Sequence, residues 1–199
     1  FCIETIPSNP GLSLISKTKK SVILQLIAPS NPGGFITEYD LFMDGQSIYK
    51  QIYNDDGYHY SNYYYSYTQS NLNSYTNYSF DLVVKNQIGK NNLTTPFVVE
   101  TLPGPPSKPE NVNVMVDGST QVSINWHKPQ QENGIITQYE YYLESSDALT
   151  KFNITNLDDY PYSYTITGLN PYTNYDIKIM AYVGNYGGNF SDIVTFTTL

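Results

Sequence analysis

Arginine is missing from this chain of 199 residues, and only 14% of its residues are charged. The usual share is ~25%. All ten cations are Lys, set against 18 carboxylates, which leaves a net charge of −8. Phosphate neutralisation needs clustered cations, and bidentate recognition favours Arg. Nucleic acid is therefore excluded as a partner. Cysteine is almost as scarce, with Cys2 alone. No disulfide can close within the chain, so sheet packing must supply its stability. Such poverty suits the cytosol, and equally suits secreted modules that never used disulfides. No apolar run approaches the ~20 residues of a membrane span, and neither an initiator Met nor a signal peptide opens the sequence. The expectation is a piece of a longer protein that makes no membrane contact itself. Histidine is limited to His59 and His127, which fall in different halves. A catalytic Ser-His-Asp or Cys-His site needs a base within hydrogen-bond reach of a nucleophile. No zinc spacing and no Gly-rich phosphate cradle is found either. The chain reads as no enzyme, with no cofactor and no metal.

What is present is a repetition. Val22, Leu24, Leu26, Pro29, Gly34, Ile36 and Tyr39 recur 100 positions later as Val122, Ile124, Trp126, Pro129, Gly134, Ile136 and Tyr139. Leu72, Tyr75, Thr76, Asn77, Tyr78, Phe80 and Leu82 recur 97 positions later as Leu169, Tyr172, Thr173, Asn174, Tyr175, Ile177 and Ile179. Thr101-Leu102 recurs as Thr198-Leu199. A repeat held in register means two tandem copies of one domain. About 100 residues each is an ordinary domain size. The expected division is residues 1–102, a Pro-rich linker at 103–109, and residues 110–199. Prolines restrict the linker, so it should be extended and semi-rigid, with the modules end to end.

Apolar residues alternate, as in Val112-Val114-Val116 and Tyr175-Ile177-Ile179, and 21 Tyr add strand-forming bulk. Period two argues strands with one buried face. Turn residues punctuate them at Asn31-Pro32-Gly33-Gly34, Asp44-Gly45, Asp117-Gly118, Asn133-Gly134 and Gly187-Gly188. The pattern predicts an all-β sandwich of seven strands in each copy. The strands fall near 11–16, 21–28, 36–43, 47–53, 63–70, 77–85 and 95–102. In the second copy they fall near 111–116, 121–127, 136–145, 149–155, 162–168, 174–183 and 191–198. Asp44-Gly45 predicts a tight hairpin turn.

Pro109, Val122-Ser123-Ile124-Asn125-Trp126, Pro129, Gly134-Ile135-Ile136 and Tyr139, followed by Thr167-Gly168-Leu169-Asn170-Pro171-Tyr172-Thr173-Asn174-Tyr175, resemble the fibronectin type III module. The resemblance implies immunoglobulin-like sandwiches. It makes Trp126 the core tryptophan of the second strand and Tyr175 the corner tyrosine, and Tyr78, Leu169 and Leu72 are expected in the structural core with them. The first copy departs from the pattern. Leu26 replaces Trp, so Phe42 or Phe80 should fill the space; Ser70-Asn71 replaces Thr167-Gly168, and Ser74 replaces Pro171.

Two regions are candidate binding surfaces. The stretch from Tyr58 to Tyr67 is rich in Tyr, Ser and Asn, the composition of binding paratopes. Tyr63, Tyr65 and Tyr67 have counterparts in Tyr160, Tyr162 and Tyr164, which reads as core lining, but Tyr58, Tyr60 and Tyr64 do not. The loops before the last strands, Asn86-Gln87-Ile88-Gly89 and Gly184-Asn185-Tyr186-Gly187-Gly188-Asn189, are the other, with Asn185 and Tyr186 at a Gly-flanked tip. The acid pairs Asp55-Asp56 and Asp158-Asp159 read as solvated loops, because adjacent carboxylates do not converge on one cation. N-glycosylation sequons stand at Asn77, Asn92, Asn153 and Asn189.

The leading expectation is a non-catalytic recognition or adhesion pair. It would be extracellular, from the ectodomain of a membrane-anchored cell-surface protein. A cell-surface or matrix protein, or a second copy of itself, would be its partner. Alternatives are passive spacer modules of a secreted carbohydrate-active enzyme, and an intracellular structural repeat.

Overall fold

The structure is a computed structural model that describes residues 4–53, 65–145, 149–155, 157 and 160–199. It divides into two compact units, Phe1–Leu102 and Pro103–Leu199. The described residues hold strands and no helix. In the first unit these are β1 (Gly11–Lys17), β2 (Ser21–Ile27), β3 (Ile36–Met43), β4 (Gln46–Ile52), β5 (Tyr65–Ser70), β6 (Asn77–Asn86), β7 (Lys90–Asn91) and β8 (Phe97–Glu100). In the second they are β9 (Glu110–Val116), β10 (Gln121–His127), β11 (Gln138–Glu144), β12 (Leu149–Ile154), β13 (Tyr162–Thr167), β14 (Asn174–Val183), β15 (Tyr186–Phe190) and β16 (Val194–Thr197).

Each unit is a sandwich of antiparallel sheets. One sheet has three strands, in the order β1-β2-β5 or β13-β10-β9. The other has five: β4-β3-β6 carries both β7 and β8 on β6, and β12-β11-β14 carries both β15 and β16 on β14. Among the described residues each unit thus has eight strand segments where the pattern predicted seven strands, because the last strand is broken in two. Ser191 explains the break in the second unit. Its Oγ accepts the Ile179 N–H at 2.9 Å and donates to the Asp192 carbonyl at 2.9 Å, so a side chain takes a ladder position. In the first unit the roles are reversed, with Asp81 Oδ1 on β6 accepting the Leu93 N–H at 3.3 Å.

Alternation sends Val22, Leu24 and Leu26 from one sheet, and Phe80, Leu82 and Val84 from the other, into a closed interior. Val122, Ile124, Trp126, Ile177, Ile179 and Ala181 do the same in the second unit. Trp126 meets Tyr139 edge-on at 5.3 Å and Tyr162 at 5.8 Å. In the first unit Leu26 is too small to reach those places. Tyr53 fills them, with its ring edge-on to Tyr39 at 6.1 Å and its hydroxyl 2.6 Å from that of Tyr65. Phe42 does not contribute: across β3 and β6 it faces Asp81, on the side away from the core.

The corner is repeated in detail. The Asn73 N–H donates to the Tyr78 hydroxyl at 2.8 Å, and the Asn170 N–H to the Tyr175 hydroxyl at 2.9 Å. Asn71 adopts φ 61° where Gly168 adopts φ 77°, and Asn tolerates that left-handed conformation better than most residues. Ser74, in place of Pro171, donates to the Lys19 carbonyl at 3.0 Å. The recurring Thr also has a purpose. Thr101 Oγ1 takes the Thr76 N–H and donates to the Asn73 carbonyl, as Thr198 Oγ1 does with Thr173 and Asn170. Tyr175→Phe leaves the Asn170 N–H without its acceptor. It should cost about 1–2 kcal/mol of second-unit stability in urea titration, and an unchanged midpoint would show the bond to be idle.

Residues 103–109, expected as an extended, semi-rigid linker, group with the second unit. Gly104 N–H donates to Asn133 O at 2.9 Å and Ser107 N–H to Gln131 O at 2.8 Å. The Asn133 side chain returns a bond to Pro105 O. Pro lacks an N–H for the sheets, so the segment bonds through its remaining groups to the loop after β10. The leading segment of the first unit is held similarly, by Thr5 N–H to Gly33 O and Ser8 N–H to Asn31 O.

Candidate functional site

The hairpin between β14 and β15 is built by close approach. Val183 and Tyr186 face each other across it, leaving Gly184-Asn185 as a two-residue turn with Gly184 at φ 54°. Left-handed φ at the first turn position suits the primed turns of hairpins. Thr137 anchors the turn: its Oγ1 accepts the Gly184 N–H at 3.1 Å. Gly188 is required by space, since a Cβ there would lie 2.4 Å from the Pro106 carbonyl oxygen. Tyr186, expected on a loop, therefore begins a strand, because Gly187 and Gly188 let β15 pack where a side chain would not fit. Asn185 and Tyr186 are exposed, Tyr186 by 47%.

A residue that sequence reasoning missed lies nearby. Gly134, at φ 149°, would place a Cβ 2.5 Å from Val183, so the loop before β11 lies against the hairpin. The next residue, Ile135, is 72% exposed. Asn133-Gly134 reads as a turn and the strand as starting near 136, which gave Ile135 no role. β11 begins later, at Gln138. The corresponding turn of the first unit has another construction. Asn86 is buried, its Oδ1 accepts the N–H groups of Ile88 and Gly89, and Ile88 is exposed.

Tyr58, Tyr60, Tyr63 and Tyr64, with Cys2, His59 and the two acid pairs, lie outside the described residues. Of the remaining tyrosines, Tyr65, Tyr67 and Tyr162 are half-buried, whereas Tyr160 and Tyr164 are exposed. Tyr164 packs beside Tyr141 at 5.8 Å, and Phe152 stacks on Tyr141 at 5.6 Å. Trp126, Tyr175, Tyr78, Leu169 and Leu72 are buried. His127 Nδ1 lies 3.0 Å from Asn111 Nδ2, at the end of β10. Among the described residues, no group of three or more His, Cys, Asp or Glu side chains could hold a metal ion.

The outer faces of the five-stranded sheets carry buried acids. Glu140 is only 2% exposed and accepts from Lys151 Nζ at 2.6 Å and from the hydroxyls of Tyr142 at 2.9 Å and Tyr182 at 2.7 Å. Desolvation pushes its pKa up, but these three donors together outweigh it and hold the carboxyl below its usual 4.5. The same carboxylate, aided by desolvation, raises the Tyr182 hydroxyl to about 12. Lys178 lies 4.4 Å from the centre of the Phe190 ring and 5.9 Å from that of Tyr142. In the first unit, buried Asp40 is bonded by Ser47 and paired with Lys50 at 3.1 Å. Glu38 pairs with Lys85 and Lys50, and its pKa is lowered chiefly by Lys85. These charges are satisfied within their own sheets.

Comparison with known proteins follows the same division. Residues 107–197 match the family model of the fibronectin type III domain. Phosphatidylinositol phosphatase PTPRQ of Rattus norvegicus is 26% identical over 195 residues, covering 94% of this chain and 8% of that protein. Neogenin of Homo sapiens is 28% identical over 192 residues, 95% of this chain and 13% of its own length. Cell adhesion molecule Dscam1 of Drosophila melanogaster is 30% identical over 110 residues, 55% of this chain and 6% of its own. The chain thus spans a small fraction of each relative.

Proposed function

We propose, from the premise that residues 107–197 form a fibronectin type III domain and that the first unit repeats its sandwich, that the chain is a recognition pair within a cell-surface ectodomain. Its role is to bind a protein partner through the β14–β15 hairpin. The resemblance of 55% of the chain to a named cell adhesion molecule supports the location. The observation that carries the site is Tyr186, exposed on a hairpin fixed by Thr137 and by the approach of Gly188 to Pro106. A rigid aromatic anchor contributes contact area at low entropy cost. Asn185 precedes it in the turn, and Ile135 follows Gly134, which lies against Val183, the cross-strand partner of Tyr186. Tyr58, Tyr60 and Tyr64 are the candidate surface of the first unit on composition alone. The reading is non-catalytic because the match of residues 107–197 is to a fibronectin type III domain.

The test is adhesion of beads coated with the chain to cells of its own source. Loss of a hot-spot aromatic costs about 2 kcal/mol, or ~30-fold in affinity. Bead attachment should fall accordingly in Tyr186→Ala, while urea stability is unchanged. Equal attachment by the variant removes the hairpin as the site. Wild-type beads that never attach favour the spacer alternative.

A further inference from the structure

The four sequons are not scattered over the two sandwiches. In β6 the side chains of Tyr78, Phe80, Leu82 and Val84 are buried, so Asn77, Ser79 and Asp81 point to the outer face of the five-stranded sheet. Asn92 joins them there, its Nδ2 donating to Asp81 Oδ2 at 3.3 Å. In β12, Asn153 stands opposite Glu140. Cross-strand partners share a face, and Tyr139, Tyr141 and Leu143 face the core. Asn153 is therefore on the outer face of the corresponding sheet in the second unit. Asn77, Asn92 and Asn153 are all exposed. No sequon falls on any strand of the three-stranded sheets. Asn189 is separate, at the irregular β14–β15 register with its N–H bonded to Pro106 O.

The geometry points to N-linked glycans at Asn77, Asn92 and Asn153, standing in both units on the outer face of the five-stranded sheet and leaving the three-stranded sheets bare. In the transfer, the amide nitrogen Nδ2 bonds to the anomeric carbon of a lipid-pyrophosphate-linked oligosaccharide. The carbon–oxygen bond to the pyrophosphate breaks, the lipid pyrophosphate leaves with that electron pair, and one amide proton passes to a base of the transferase. The hydroxyl two positions on, from Ser79, Thr94 or Thr155, completes each acceptor. After folding, each Asn must still face water, and these three do. Glycosylated Asn92 keeps one N–H, so its bond to Asp81 survives. The charges below the sugars are already matched by Lys50, Lys85 and Lys151, which leaves a face suited to hydration.

The inference rests on the extracellular reading, and two samples keep the two apart. The chain is secreted from eukaryotic cells behind a cleavable signal peptide. Its glycans are released enzymatically in heavy-oxygen water, and Asn-to-Asp conversion is mapped by mass spectrometry. Conversion of each of the three Asn in most molecules supports the proposal, and an unmodified majority at any one overturns it. Ser79→Ala, Thr94→Ala and Thr155→Ala should each delete one glycan. Placement is read from a bulky amine reagent. Deglycosylation should speed labelling of Lys50, Lys85 and Lys151 several-fold and leave Lys20, in the turn between β1 and β2, unchanged. Equal rates before and after would overturn the placement. Sugar-free protein from the native cells beside a glycosylated secreted chain would instead refute the extracellular reading.

Discussion

Replacing Trp126 with Ala removes about 3–5 kcal/mol from the second unit, the range for deleting a large buried aromatic. Trp126 has no exposed surface and touches Tyr139 and Tyr162, which touch each other at 5.0 Å. Three sheet positions therefore lose contact at once, and the strands on either side are held by ladders that cannot collapse into the gap. Domains of this size carry roughly 5–15 kcal/mol in total, so the loss is a large share of the unit's stability. Far-ultraviolet circular dichroism of the whole chain in urea should show one transition moved to low denaturant and the other in place. The first unit is the control, because Tyr53 occupies that space there. A second transition at its wild-type midpoint would mean that Trp126 is not what fills this core.

Glu140→Ala is the next largest expected effect. Removing one partner of a buried pair costs about 3–5 kcal/mol. The lower end applies because Lys151 is 54% exposed and can regain water. The two tyrosine hydroxyls lose their acceptor at the same time. Trp126 is the one tryptophan of the chain, so its fluorescence follows the second unit alone. The acid dependence has a definite sign. The folded-state pKa of Glu140 is depressed, so its contribution is complete above the unfolded value and is lost as pH falls through the folded one. Wild type should weaken below about pH 4.5 more steeply than the variant, and the difference between them should shrink with acid. Parallel pH curves would show that Glu140 has the same pKa folded and unfolded.

Register and repetition were enough to read the sandwich. Val22, Leu24 and Leu26 alternate, and so do Tyr175, Ile177 and Ile179; period two has one meaning for a half-buried strand. Asp44-Gly45 was legible as a turn because φ there is 49° and 81°, a demand few residues meet. Tyr186 was harder. It looked like a loop residue because Gly187-Gly188 usually marks a turn. Here Gly188 marks a close approach to Pro106, 82 positions earlier in the chain, and Gly187 lies against Met180 and Tyr182, which no local pattern records. Tyr53 in place of Trp126 was hidden for the same reason, since it comes from the neighbouring sheet rather than from the replaced position.

The sequence by itself determined the alternating strands, the two-fold repetition and the positions of the four sequons. Each follows from residue identity and short-range periodicity. Tertiary structure alone decided that Ser191 breaks the last strand, that Glu140 is buried among three donors, that residues 103–109 belong to the second unit, and that Asn77, Asn92 and Asn153 share one kind of face. Those facts depend on which strands meet across the fold. Pairing partners are chosen by the packing of the whole sandwich, and a linear sequence does not state them.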